Sequence, residues 1–364
     1  MTDRAMTVAV DGRLVFDEVR RGIAKTTIGL YRALSIGRPR WKFVVFYREG
    51  INDNPFADCP NIELRKIDFR GDRFRLWDRV RLPWAIWRSR ADLFHSHSGV
   101  APPHPMTRMV VTIHDLIPLD CRADEPNVQE WRDNLARSAK NARFIITASE
   151  HAKERIVHHF RVPPEKIRIV PWAPFSQAEN VIAQGEVGMP YALHFGMSDV
   201  RKNTVRVLDA WCGLPAEVRA VNRLKIVGLD LKGLEAFRQR TLDESIEFRG
   251  YVEEVELRRL LSGARFLVYP TLYEGFGMPI LDAFAAGVPV LTSSTTSLPE
   301  VAGDAAEYVD PNDTDSMAAG LLKLLTDPER RLQLTAMGHA RVARYTWETT
   351  AEKVAAIFEE AVAR

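Results

Sequence analysis

Short runs of consecutive apolar residues alternate along this chain with stretches whose apolar positions recur every three to four residues. The uninterrupted runs predict strands at 8–11, 42–46, 93–95, 109–114, 144–148, 167–170, 191–195, 224–227, 245–248, 266–269 and 288–292. The helical period predicts helices at 24–34, 128–141, 150–160, 203–211, 253–261, 279–286 and 314–325, and in the charged C-terminal segment. Strands that are apolar throughout and separated by helices belong to parallel sheets covered on both faces. The alternation breaks at Pro171-Trp172-Ala173-Pro174 and the polar stretch that follows, before a new run begins at Tyr191. Each half therefore reads as a doubly wound α/β unit. Two such units facing each other would leave a cleft at the carboxyl ends of their strands, where this architecture binds ligands.

The length, 364 residues, agrees with two domains. With 46% apolar residues, eight Trp and 17 Phe, the chain can fill two cores. No apolar run approaches the roughly 18 residues of a membrane span, and no signal-peptide core follows the N-terminus. Cys59, Cys121 and Cys212 are few and far apart, which makes neither a disulfide framework nor a zinc set; a cytoplasmic setting is expected.

The net charge is only +2, yet residues 1–172 balance at +9 and the remainder at −7. Such asymmetry suggests halves that meet different partners. Nine Arg/Lys fall between Arg65 and Arg90, interleaved with Phe69, Phe74, Trp77, Trp84 and Trp87. Arg73, Arg75, Trp77, Arg79, Arg81, Trp84 and Trp87 are candidates for an anionic membrane or acceptor surface; the alternative is a solvated helix and loop whose aromatics are core. Near-neutral overall charge and the lack of a known module argue against nucleic acid.

Four segments could carry chemistry. In the first, the run ending at Tyr269 passes into Glu274-Gly275-Phe276-Gly277-Met278-Pro279, with Pro279 placed for a first helical turn. Backbone N–H groups in such a loop and helix start would attract an anion, and Gly275 and Gly277 allow close approach. Glu274 suits sugar hydroxyls, and Asp282 suits a ribose diol. In the second, Arg201-Lys202-Asn203 follows the run 191–195; Asn203 could cap the next helix. The two cations would then stand at a helix N-terminus, a place that needs an anion, and a diphosphate would supply it.

The third segment is Asp11-Gly12-Arg13 with Arg21-Gly22-Ile23, where a glycine loop opens a helix. The fourth is Val110-Val111-Thr112-Ile113-His114-Asp115, which delivers His114 to a strand end, with Asp115 placed to hold its ring. Each of the four could also be an ordinary turn, solvated pair or structural histidine. His95 and His97 lack a third metal ligand at a recognisable spacing. Asp313-Thr314-Asp315 reads as a loop and helix cap.

Together these segments resemble the retaining GT-B glycosyltransferases of family 4, the group 1 glycosyltransferases. The match is densest from Tyr191 to Pro311, through Phe248-Arg249-Gly250-Tyr251, Gly287-Val288-Pro289-Val290 and Leu298-Pro299-Glu300-Val301-Ala302-Gly303. Asp11-Gly12-Arg13 and Arg21-Gly22-Ile23 look most like the bacterial mannosyltransferases that build surface polysaccharides. The family's acidic pair is two glutamates; here the second is Asp282, one methylene shorter, and Met197 stands where an arginine is common.

The resemblance implies an acceptor-binding domain at 1–172, a nucleotide-sugar domain at 173–347, and a helix about 348–364 crossing back after Thr346-Trp347. It implies that Arg201 and Lys202 bind the donor diphosphate and Glu274 the transferred sugar. Phe276, Gly277 and Met278 would offer N–H groups, Asp282 would hold the ribose, and the Tyr251-Val252 backbone would meet the base. Gly22 and Ile23 would approach the diphosphate, and His114 the sugar. The implied partners are a nucleotide-sugar donor, most simply GDP-mannose, and a saccharide or lipid-diphosphate-linked acceptor, with no metal or other cofactor. A UDP-sugar or another GDP-sugar is the alternative donor. A nucleotide-sugar epimerase and a silent nucleotide-sugar-binding protein are the alternatives of other classes.

Overall fold

The computed structural model describes residues 5–16, 20, 22–48, 53–67, 77–104, 106–175, 189–196, 199–241 and 243–363. The chain divides into two compact units. One comprises Met1–Phe175 together with Tyr345–Arg364, and the other Ser176–Arg344.

The first unit holds a parallel sheet of seven strands: β1 (Thr7–Asp11), β2 (Lys42–Tyr47), β3 (Ile62–Lys66), β4 (Leu93–Ser96), β5 (Arg108–Thr112), β6 (Phe144–Thr147) and β7 (Ile167–Ile169). Their order across the sheet is β3-β2-β1-β4-β5-β6-β7. The order reverses between β1 and β4, the point at which doubly wound sheets open toward a ligand at their carboxyl ends. β1, β4, β5 and β6 are buried along almost their whole length. The two outermost strands, β3 and β7, are only half-buried.

A core of Val44, Phe94, Val111, Leu135, Ile145 and their neighbours packs one face of this sheet. The helix Gly22–Gly37 packs with the returning helix Trp347–Ala363. A Cβ on Gly29 would lie 2.5 Å from the Trp347 ring, so only glycine lets the two approach this closely. The Trp347 indole N–H donates to the Pro174 carbonyl, and the Thr350 hydroxyl to Pro171. These bonds fix the last helix to the segment that follows β7.

The second unit holds six parallel strands: β8 (Tyr191–Phe195), β9 (Arg223–Val227), β10 (Ile246–Phe248), β11 (Phe266–Tyr269), β12 (Val290–Ser293) and β13 (Ala306–Val309). Their order is β10-β9-β8-β11-β12-β13, with the reversal between β8 and β11. Trp211, Phe266, Leu291 and Leu324 anchor its core. Both units are thus Rossmann-like.

The sequence pattern misplaces some ends. The run read as 109–114 stops pairing at Thr112; beyond it the Ile113 N–H donates to the Ile146 carbonyl and the Ile113 carbonyl accepts from the Thr147 hydroxyl, both in the neighbouring strand. The run read as 288–292 begins pairing at Val290, since Gly287, at φ +72°, is still completing the preceding helix end. Strands β3 and β13 and the helices Leu82–Ser89, Leu231–Arg240 and Pro328–Val342 add to the elements read from the pattern.

Within the basic aromatic segment, Arg73 and Arg75 lie outside the described residues. A π-helical turn, Trp77–Arg81, leads into the helix Leu82–Ser89, whose Leu82, Pro83 and Ile86 are buried. Trp84 and Trp87 are 52% and 59% exposed, and Arg79, Arg81, Arg88 and Arg90 are exposed beside them. The Arg88 guanidinium lies over the Trp84 ring. These two tryptophans are therefore surface, not core. No helix among the described residues is long and apolar enough to cross a membrane.

Candidate active site

The reversal between β8 and β11 brings the two loops singled out in the second unit side by side. The β8 loop carries Asp199, Arg201, Lys202 and Asn203, and the β11 loop carries Glu274. The Leu272 N–H donates to the Arg201 carbonyl, tying one loop to the other. Asn203 strengthens the tie. Its side-chain amide donates to the carbonyls of Pro270 (3.0 Å) and Pro311 (2.7 Å), while its backbone sits at φ +63°. Asn203 was expected to cap the following helix, and its side chain makes no such bond. The left-handed backbone turns the amide away from the helix and toward the neighbouring strand ends.

Glu274 is buried, and three donors converge on its Oε1: Arg201 at 2.8 Å, Lys202 Nζ at 2.8 Å and the Tyr269 hydroxyl at 2.7 Å. Arg201 also donates to the Tyr273 carbonyl and to Asp199. Burial alone would raise the Glu274 carboxyl. The charges of Lys202 and then Arg201, with hydrogen bonds from Lys202 and Tyr269, outweigh it and hold the group below the usual carboxylate range. Burial, with the Glu274 charge beside it, pushes the Tyr269 phenol well above its ordinary value, so it remains a donor.

This arrangement corrects one expectation. Arg201 and Lys202 do not stand bare at a helix start awaiting an anion. They lie in a short 3₁₀ turn, Val200–Lys202, before the helix Thr204–Cys212, and Asp199 and Glu274 already balance their charges. A buried cation left unmatched would cost several kcal/mol, which is the physical reason for the pairing. Lys202 uses two of its three N–H donors, on Tyr269 and Glu274, and among the described residues no partner takes the third.

The helix Met278–Ala285 starts at Gly277, whose φ of +109° only glycine adopts readily, and whose Cβ would strike Leu298 at 2.8 Å. No acceptor among the described residues takes the N–H of Gly277 or Met278. The Ser297 hydroxyl, shared between the carbonyls of Glu274 and Phe276, fixes the loop from below. Asp282 is half-buried one turn into the helix, and its charge adds to those that keep Tyr269 protonated. Tyr251 is 66% exposed and Val252 half-buried after β10.

One further residue bears on this loop without having been singled out from the sequence. His194, inside β8, donates from Nδ1 to the Val268 carbonyl (2.8 Å) and accepts at Nε2 from Thr204 (3.1 Å). A histidine within an apolar strand was the available signal.

The first unit handles its polar groups differently. The Asp11 carboxylate is paired with Arg13 at 2.6 Å, and a Cβ on Gly12 would lie 2.4 Å from Val45, so this motif is a closed structural turn. Gly22 begins its helix with nothing within 4 Å of a Cβ, and Arg21 lies outside the described residues. His95 and His97 are buried, and Trp172 lies against the rings of His97 and His114.

The partners fix two of the three tautomers in this cluster. Tyr31, kept protonated by burial, is hydrogen-bonded to His95 Nδ1 at 2.6 Å, and Thr112 to its Nε2 at 2.9 Å, so both ring nitrogens of His95 are satisfied. Thr26 donates to the Ile23 carbonyl, so its oxygen accepts from His97 Nε2 at 3.0 Å. His97 Nδ1 is then a buried lone pair with no hydrogen-bond partner. The His114 Nε2–H donates to the His97 carbonyl at 2.9 Å, leaving its Nδ1 as an acceptor.

That carbonyl, and not Asp115, holds the His114 ring. Asp115 instead accepts from the Ile117 N–H, closing the turn into the next helix. Asp313 caps the helix Thr314–Thr326 through the N–H groups of Asp315 and Ser316. Among the described residues no group of three or more His, Cys, Asp or Glu could hold a metal ion.

Two family descriptions fit the chain in tandem: Glycosyltransferase Family 4 over residues 22–173 and Glycosyl transferases group 1 over residues 181–341. The chain is 31% identical over 360 residues to O-antigen chain mannosyltransferase B of Escherichia coli, spanning 90% of this chain and 93% of that relative. Among solved structures, HepE of Anabaena in complex with UDP superposes with a TM-score of 0.75, at 13% identity, over 98% of this chain and 100% of that one. WaaG, a glycosyltransferase involved in lipopolysaccharide biosynthesis, gives a TM-score of 0.72 at 17% identity, over 97% and 99%. At these identities the two structures share the fold.

The histidine cluster generates a pH prediction. Burial first, then the His114 charge, brings His95 down to about 3; burial brings His114 down to about 4 despite the His97 carbonyl. Both are neutral when folded and titrate near 6.5 when unfolded. The unfolded chain therefore binds more protons below about 6.5, and folding stability should fall as pH drops from about 6.5 toward 4. Each such proton contributes a slope of up to about 1.4 kcal/mol per pH unit. Denaturant midpoints measured across this range should show the slope, and His95→Gln should reduce it.

Proposed function

The chain belongs to the family 4, group 1 glycosyltransferases, hexosyl-transferring enzymes of GT-B fold, and from this premise we propose that it moves mannose from GDP-mannose to a glycan acceptor. The acceptor is a saccharide or lipid-diphosphate-linked chain of a surface polysaccharide. The observation that carries the reading is the Arg201–Lys202–Glu274 cluster at the strand-order reversal of the second unit. The similar mannosyltransferase of O-antigen synthesis supports mannose as the sugar.

The proposed chemistry retains the anomeric configuration. The bond from the anomeric carbon to the phosphate oxygen breaks as the acceptor oxygen attacks from the same face. The acceptor proton passes to the departing phosphate oxygen. Negative charge grows on the nucleoside diphosphate. Arg201, the uncommitted N–H of Lys202 and the free amides of Gly277 and Met278 are assigned to that charge. Gly275 and Phe276 complete the loop around it. Glu274 takes a hydroxyl of the transferred sugar, Asp282 the ribose, and the backbone of Tyr251 and Val252 the base.

In the first unit, the start of the helix Gly22–Gly37, at Gly22 and Ile23, is assigned to an anion. His114 is assigned to a sugar hydroxyl through its Nδ1 lone pair. A two-carboxylate double displacement is not part of the proposal, since no second carboxylate is assigned as nucleophile. No metal or other cofactor is assigned either.

We also assign the face bearing Arg79, Arg81, Trp84 and Trp87 to an anionic membrane surface, with the enzyme peripheral on its cytoplasmic side. Exposed tryptophans among exposed arginines suit such a surface.

Three measurements test these assignments. In a thermal-shift screen GDP-mannose should raise the melting temperature; stabilisation by UDP-sugars and not by GDP-mannose would replace the donor. Lys202→Ala should lower kcat by about 100-fold or more, and turnover and donor affinity equal to wild type would remove the role given to that residue. Anionic vesicles at low salt should sediment the protein, and Trp84→Ser with Trp87→Ser should reduce this; no sedimentation would reject the membrane assignment.

A further inference from the structure

Tyr269 ends β11, 1% exposed, with its ring under the Lys202 ammonium at 5.0 Å and its hydroxyl 2.7 Å from Glu274 Oε1. A carboxylate oxygen offers two lone pairs, and here three donors already crowd Oε1. None of the three lies on Oε2. The phenol is the uncharged member of the set. Its O–H is aimed at the carboxylate alone, whereas Arg201 and Lys202 also have phosphate to serve under the reading above.

We propose that Tyr269 is a positioning residue for the transferred sugar: by holding Oε1 of Glu274 it fixes the carboxylate so that Oε2 is the oxygen presented to a sugar hydroxyl. This rests on the assignment of Glu274 to the sugar. Two consequences separate it from a general packing role. Loss of the phenol should weaken recognition of the sugar and leave recognition of the nucleoside diphosphate in place. It should also remove a hydrogen bond that favours the ionised carboxylate, so the acid limb of the activity profile should move to higher pH.

The test compares wild type, Tyr269→Phe and Glu274→Gln for binding of GDP alone, binding of GDP-mannose, kcat, KM and the pH dependence of kcat/KM. Tyr269→Phe should bind GDP as wild type does, lose about 10- to 100-fold in kcat/KM, as for one charge-assisted hydrogen bond, and shift its acid limb upward. The double variant should lose no more than Glu274→Gln alone, because the phenol acts through that carboxylate. Equal loss of GDP and GDP-mannose binding in Tyr269→Phe would overturn the proposal, as would unchanged kinetics or additive losses. If Glu274→Gln keeps wild-type GDP-mannose binding and turnover, the assignment beneath the proposal fails, whatever Tyr269→Phe does. Should Tyr269→Phe not fold, 3-fluorotyrosine placed at 269 gives the second reading on an unaltered shape. The more acidic phenol should move the acid limb to lower pH, and an unmoved limb would overturn the proposal.

Discussion

A carboxylate taken out of water must be met by donors, and Glu274 is where the second unit satisfies that requirement. Its charge is matched by Arg201 and Lys202 from a loop more than seventy residues earlier in the chain, and by Tyr269 at the end of its own strand. The match exists because the strand order reverses between β8 and β11, which puts the two loops at adjacent strand ends. Much of the surrounding detail serves that meeting. Asn203 clamps the first loop to Pro270 and Pro311, Ser297 supports the second from below, and Gly277 supplies a backbone angle that other residues resist. A buried ion cluster is weak as a source of stability but severe in what it demands of geometry. Here it holds one carboxylate oxygen, Oε1 of Glu274, among three donors.

The first unit meets the same problem with neutral groups. His95, His97 and His114 sit at and just beyond the ends of β4 and β5, and burial keeps them uncharged. His97 and His114 donate from Nε2 to a hydroxyl and a carbonyl, and His95 is hydrogen-bonded at both ring nitrogens. The Asp11–Arg13 pair closes its own turn and leaves the histidines free of a carboxylate partner. The two units thus repeat a topology with different chemistry at the reversal point: an ion cluster around Glu274 in one, and in the other a neutral histidine stack beside the Asp11–Arg13 pair.

The alternation of apolar runs and helical periods made the α/β architecture legible, because β1, β2, β4, β8, β11 and β12 are almost wholly buried and read as mostly apolar strings. The pattern fell silent at the edges. Ile62-Glu63-Leu64-Arg65-Lys66 mixes charged and apolar residues because β3 is half-buried throughout, and Ala306-Glu307-Tyr308-Val309, at an edge of the other sheet, has its two central residues half-buried. The individual loops that carry Glu274 and Arg201-Lys202 could be picked out from residue type. Their direct pairing could not, since nothing local to either segment specifies a partner so distant. Nor could the roles of Asn203 and His97, which depend on which backbone carbonyls happen to face them.

The returning helix Trp347–Ala363 has a consequence for how the molecule is made. It supplies Trp347 to the helix Gly22–Gly37 and Phe358 to an edge-type ring contact with His95, and so completes a unit whose other residues end at Phe175. The second unit is one continuous stretch set between these two pieces. During synthesis it can close on itself as soon as its own residues have left the ribosome. The first unit, begun earlier, must wait with an apolar flank uncovered until residues 345–364 arrive. The order of completion is therefore the reverse of the order of translation: the unit begun first closes after the one that follows it.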